Sequence, residues 1–127
     1  MNKNLKISAI TLVILLLVLF LHLYGMAENL YIKIWYYDII LHILGGMGIA
    51  LSVYSVINIF NIDFLKKRIW SIVALSFVGG LAWELFEVLY SLTGSELWSK
   101  PYYIDTIKDL FDDTLGALII WGIVKNK

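Results

Sequence analysis

Four carboxylates fall within nine residues in the stretch Asp105-Thr-Ile-Lys-Asp109-Leu-Phe-Asp112-Asp113, directly before the apolar run Leu115 to Val124. Two further polar pairs stand elsewhere in the chain, Asp38 with His42 and Glu84 with Glu87. The spacings are helical. Asp105, Asp109 and Asp112 fall at i, i+4 and i+7; Asp38 and His42, like Asp109 and Asp113, fall at i, i+4; Glu84 and Glu87 fall at i, i+3. Each set can therefore share one helix face. Asp112 and Asp113 are adjacent and diverge by about 100° on a helix, so one of the two points away. Carboxylates brought together cannot all stay ionised without a cation or a retained proton. An all-carboxylate set suits Mg²⁺, Mn²⁺ or Ca²⁺, and His42 would admit Zn²⁺ or Fe²⁺. Such an ion could clamp the phosphate of a lipid headgroup or activate water. Without an ion, a protonated glutamate beside an ionised aspartate could relay protons or hold a cationic solute. In the plainest case, hydrogen bonds among these groups and Thr114 fasten helices to one another.

The elements that must carry these residues are membrane helices. The chain has 127 residues, of which 61% are hydrophobic and 16% charged, against about 25% charged in soluble domains. A soluble domain of this length could not bury so much apolar side chain, so a bilayer is the expected solvent. A formal net charge of zero gives no footing for nucleic acid. The lack of cysteine excludes disulfides and thiolate chemistry, and two histidines cannot form a His-only metal site. G-x-S-x-G, H-E-x-x-H and P-loop patterns are missing.

Four apolar runs are each expected to span the membrane: residues 7–24, 39–57, 69–92 and the short 110–124. The expected fold is an all-α, polytopic four-helix bundle forming one domain over residues 1–127. Gly25-Met26-Ala27 resembles a cleavage site, but the first apolar run is longer than a signal core and reads as a span. Gly45, Gly46 and Gly48, with Ala50 and Ser52, are expected to let helices approach closely, and Gly79-Gly80 stand at the middle of the third run. Tyr31, Trp35, Tyr36 and Tyr37 read as an aromatic belt at headgroup level, and His22 as an interfacial histidine. Residues 93–108 read as a loop containing Gly94 and Pro101.

Charge sets the orientation. Lys3, Lys6, Lys66, Lys67, Arg68, Lys125 and Lys127 lie on one side of such a bundle, seven of the ten basic residues. Basic residues in short loops stay cytoplasmic, so both termini are expected there. The acids show the reverse bias, with Asp63 alone in a cytoplasmic loop. Asp38 and His42, Glu84 and Glu87, and Asp109 with Asp112 and Asp113 then sit at the outer ends of three helices, at similar depth. Ionisable groups within spans are costly and mark function.

The pattern Asp38-x-x-x-His42, Glu84-x-x-Glu87 and Asp109-x-x-x-Asp113-Thr-Leu-Gly116-Ala117 resembles the VanZ-like and YjdF-like small integral membrane proteins over about residues 36 to 122. Asp113 stands where the VanZ-like pattern has asparagine, Glu87 where glutamine is common, and the usual arginine before the last motif is missing. Trp83-Glu84-x-x-Glu87 and the Asp105/Asp109 spacing are closer to the YjdF-like group. The resemblance implies a polar site at these positions, and for the VanZ-like group an association with resistance to glycopeptides of the teicoplanin type.

The expected site is lined by Asp38, His42, Glu84, Glu87, Asp109 and one or both of Asp112 and Asp113, as ligands of a divalent metal (Mg, Mn, Ca or Zn). Glu84 and Glu87 are the candidate catalytic residues. The expected role is to bind a cation in the outer half of the cell membrane and engage a lipid or envelope-precursor headgroup. The alternatives are a transport module for protons or cationic solutes, and a structural membrane subunit.

Overall fold

The computed structural model describes residues 3–66, 70–90 and 98–125. Its elements are α1 (Lys3–Ala27), α2 (Leu30–Lys33), α3 (Tyr37–Ile59), α4 (Asp63–Lys66), α5 (Trp70–Leu89) and α6 (Lys100–Val124). Among the described residues every element is a helix. Lys67, Arg68 and Lys127, three of the basic residues that set the expected orientation, lie outside the described residues, as do the ends of the third apolar run and residues 93–97 with Gly94.

Three helices, α1, α3 and α5, are long and apolar enough to cross a bilayer. The chain is thus a multi-pass membrane protein. The fourth long helix differs from its expected form. It begins at Lys100 rather than near Leu110, so the second half of the expected loop is helical and carries Asp105, Lys108 and Asp109 on the same rod as Asp113. The start has a local cause. Ser99 caps it by accepting a hydrogen bond from the Tyr102 amide at 3.3 Å, and Pro101 sits in the first turn, where its missing N–H costs nothing.

The central helix is α3, which packs against α1, α5 and, most extensively, α6. Two glycines set the α3–α6 crossing. A Cβ at Gly46 would run into the backbone of Asp113, and one at Gly116 into the backbone of Ile43 and Met47. The two helices therefore touch main chain to main chain, as small residues allow in lipid. On one side of this crossing lies an apolar core of Ala50, Leu51, Ile57, Ile72, Ala117, Ile120 and Val124. On the other side lie the acids.

Helix α5 presents one buried stripe at four-residue spacing, Ile72, Ser76, Gly80, Glu84 and Val88. Helix α1 rests on α3 through a Thr11–Ser55 hydroxyl pair at 3.4 Å and through Tyr37, whose hydroxyl donates to the Leu21 carbonyl at 2.6 Å.

Candidate functional site

His42 lies near the start of α3, 7% exposed, one turn from Gly46. The start of α3, the last part of α5 and the middle of α6 meet at this end, so the Gly46–Asp113 contact brings the α6 acids to the imidazole. Asp113 Oδ1 lies 3.3 Å from Nδ1 of His42, and Glu84 Oε1 lies 3.9 Å from the same nitrogen. The other ring nitrogen, Nε2, faces Asp38 Oδ1 at 3.5 Å and Asp109 Oδ2 at 3.7 Å. Four carboxylates from three helices thus surround one ring. Glu84 and Asp109 are each 2% exposed and Asp113 3%.

One cation of the protein's own belongs to this arrangement. The Lys108 amine donates to Asp38 Oδ2 and to Asp109 Oδ1, both at 2.7 Å. By spacing alone Lys108 counts as a loop charge. Its partner Asp38 lies seventy residues away, and no local pattern signals such a pair.

Among the described residues, two sets of three have ligand atoms close enough to grip one ion, Asp38–His42–Asp109 and His42–Glu84–Asp113. Buried polar atoms are nearly always hydrogen-bonded, yet Glu84 Oε1 and Asp113 Oδ2 have no hydrogen-bond partner. Gly80 makes space for the second of these, since a Cβ there would stand 2.7 Å from Asp113 Oδ2.

The remaining expected residues divide. Glu87 lies outside both sets but lines a cavity with Asp38, His42 and Asp113. Asp112 is buried at 7% exposure with Oδ2 unpartnered, and joins neither set. Asp113 is thus the member of the adjacent pair that meets His42. The i, i+4, i+7 stripe of Asp105, Asp109 and Asp112 does not form as one face toward the ring. Asp105 is half-buried on α6 rather than a solvated loop acid.

The cavity holds about 190 Å³ between α1, α2, α3, α5 and α6. Leu15, Val18 and Leu19 of α1 make an apolar wall, and His22, Tyr31, Asp38, His42, Glu87 and Asp113 supply polar surface. Nδ1 of His22 and the Tyr31 hydroxyl are 2.6 Å apart, and Trp83 meets the His22 ring edge-on at 6.0 Å. Burial, then the nearby Asp38 and Glu87, hold the Tyr31 phenol above its usual range, so it keeps its proton and can donate to His22. His22 and Tyr31 were expected at the interface as anchors. They also line this cavity, and the signal that could have found that role is their tertiary pairing, not their spacing.

No curated protein and no solved structure matches the chain. A helical bundle with three helices long and apolar enough to cross a bilayer accords with the family whose model matches residues 1–126: the chain belongs to the family described as "Predicted membrane protein (DUF2238)".

Proposed function

We propose that this protein is a single four-span domain of the cell membrane, with both termini in the cytoplasm, that binds a divalent cation at the cluster around His42. The bound cation would engage the phosphate of a lipid or envelope-precursor headgroup held in the adjoining cavity. The observation that carries this reading is Glu84 Oε1, an unpartnered oxygen on a 2% exposed side chain, 3.9 Å from His42. A buried carboxylate in that position needs a proton or a positive charge to offset its lost hydration. The mixed nitrogen and oxygen donors suit Mg²⁺, Mn²⁺, Ca²⁺ or Zn²⁺.

The fourth span is α6. Its acids Asp109, Asp112 and Asp113 are buried, not lipid-facing, which removes the usual objection to charge in a spanning helix. The motifs behind the likeness to the VanZ-like and YjdF-like groups supply residues at both the cluster and the cavity, which supports a site common to them. Passage of protons or cationic solutes is less well supported, because the core cluster beyond the α3–α6 crossing is built of Ala50, Leu51, Ile57, Ile72, Ala117, Ile120 and Val124, none of them ionisable. Glu84 and Glu87 are the carboxylates placed to accept a proton if ion-bound water is the nucleophile.

Elemental analysis of the purified protein tests the reading. A divalent metal that co-purifies with the wild type and is lost in Glu84→Gln supports it. A metal-free wild type, or an unchanged metal content in the variant, overturns it.

A further inference from the structure

The carboxylates around His42 are not equivalent, and their oxygens can be accounted for one at a time. On the Nε2 side, Asp38 Oδ2 and Asp109 Oδ1 each take a hydrogen bond from Lys108 at 2.7 Å. Their other oxygens, Asp38 Oδ1 and Asp109 Oδ2, face Nε2. All four oxygens of this outer pair are therefore met by a positive or donor group. On the Nδ1 side, Asp113 Oδ1 faces the ring, while Asp113 Oδ2 and Glu84 Oε1 have no hydrogen-bond partner. The outer pair has an amine, and among the described residues the inner pair lacks such a counterpart.

Resting on the cation reading above, we infer that Lys108 is a tethered cation occupying the outer of two adjacent cation positions, which leaves the inner one, His42 Nδ1 with Glu84 and Asp113, to a single divalent ion. The chemistry of imidazole fits this division. A histidine that ligates through one nitrogen carries its proton on the other and donates it to a carboxylate, which fixes the ring's orientation. With an ion on Nδ1, the proton would sit on Nε2, which lies 3.5 Å from Asp38 Oδ1 and 3.7 Å from Asp109 Oδ2, carboxylates themselves held by Lys108. A second divalent ion would take Asp38 and Asp109 as its ligands, with Nε2 joining only if its proton leaves to solvent, and an ammonium at hydrogen-bond distance from both outer carboxylates denies it that place. Lys108 can leave that place without unpacking the helix core, because its side chain is 41% exposed. Removing the amine should therefore convert a one-ion site into a two-ion site.

The test uses Mn²⁺ as probe on the full chain purified in detergent. After equilibration and removal of free ion, bound manganese is counted per chain and its spin state read by electron paramagnetic resonance. The wild type and Lys108→Arg should each hold one isolated Mn²⁺, and Lys108→Met should hold two that are magnetically coupled. A wild type that holds two ions, or a Lys108→Met variant that still holds one, overturns the inference while leaving the cation reading intact. A wild type that binds none removes both. Should Lys108→Met not fold, two other substitutions decide the matter at saturating Mn²⁺. Asp38→Asn should keep the ion and Asp113→Asn should lose it; the reverse pattern puts the ion in the outer half and overturns the inference.

Discussion

Helices α1 and α6 have the same length, 25 residues, and pack on the same central helix, yet they use their surfaces in opposite ways. In α1 only 6% of the membrane-length window is buried, and residues such as Val13, Phe20 and Leu23 are more than half exposed. In α6 the buried face includes Asp109, Asp112, Asp113, Gly116 and Ala117. A water-soluble protein would sort these residues the other way. In lipid the acyl chains are as apolar as leucine, so an apolar side chain gains little by turning inward. What turns inward is what lipid will not accept, acids and bare backbone. The consequence is that the least hydrophobic long helix is the one that packs most extensively on α3.

The comparison predicts that volume added to α6 at its crossing does the most damage. In Gly116→Leu and Gly46→Leu the new side chain must enter the backbone of the facing helix, and neither main chain can yield without separating α3 from α6. Overpacking typically costs about 1–3 kcal/mol, and a main-chain clash belongs at or above the top of that range. Unfolding in mixed micelles would measure it. Gly122, around which nothing lies within 4 Å, is the control on the same helix, and Gly122→Ala should change stability by no more than about 0.5 kcal/mol beyond the loss of backbone freedom. Equal effects at Gly116 and Gly122 would remove the crossing as the device that aligns the site.

How much of this could be read in the sequence follows from the same contrast. The three apolar helices were legible because a run of about twenty apolar residues is long enough to cross a bilayer and too apolar for a surface helix in water. The start of α6 was not, because Ser99, Lys100 and Pro101 read as loop punctuation, while Ser followed closely by Pro is also how a helix begins. The site was legible in part. Spacing put Asp38 with His42 and Asp109 with Asp113 on shared faces, and those are the pairs found at the ring. Choosing Asp113 over Asp112 required knowing which face α6 turns to Gly46. Lys108, His22 and Tyr31 take their roles from contacts between helices, which spacing within one helix does not encode.

A smaller effect sharpens the contrast where a side chain of α1 joins the polar end. His22 is its polar contribution to the cavity, and Tyr31 is its 2.6 Å partner. Tyr31→Phe keeps the ring and removes the hydroxyl, leaving a half-buried imidazole nitrogen without that bond. The expected loss is about 1 kcal/mol, read by the same unfolding measurement. A neutral result would mean that water or lipid replaces the phenol there, and that α1 meets the cavity as loosely as it meets the bilayer elsewhere.

The weakest effects are expected along the rest of α1, and their order is informative. Thr11 donates to its own Ile7 carbonyl at 2.9 Å and meets Ser55 of α3 at 3.4 Å. Thr11→Val preserves the shape and removes that inter-helix contact, and polar contacts of this kind between membrane helices are worth about 0.6 kcal/mol. Val13 is 64% exposed and Phe20 62%, so Val13→Ala and Phe20→Ala exchange lipid for lipid and should fall within about 0.5 kcal/mol of the wild type. A soluble protein would show the reverse ranking, with the aromatic truncation costing far more than the hydroxyl. If Phe20→Ala proves as costly as Gly116→Leu, the outer face of α1 is not lipid-facing, and a second protein surface must cover it in the membrane.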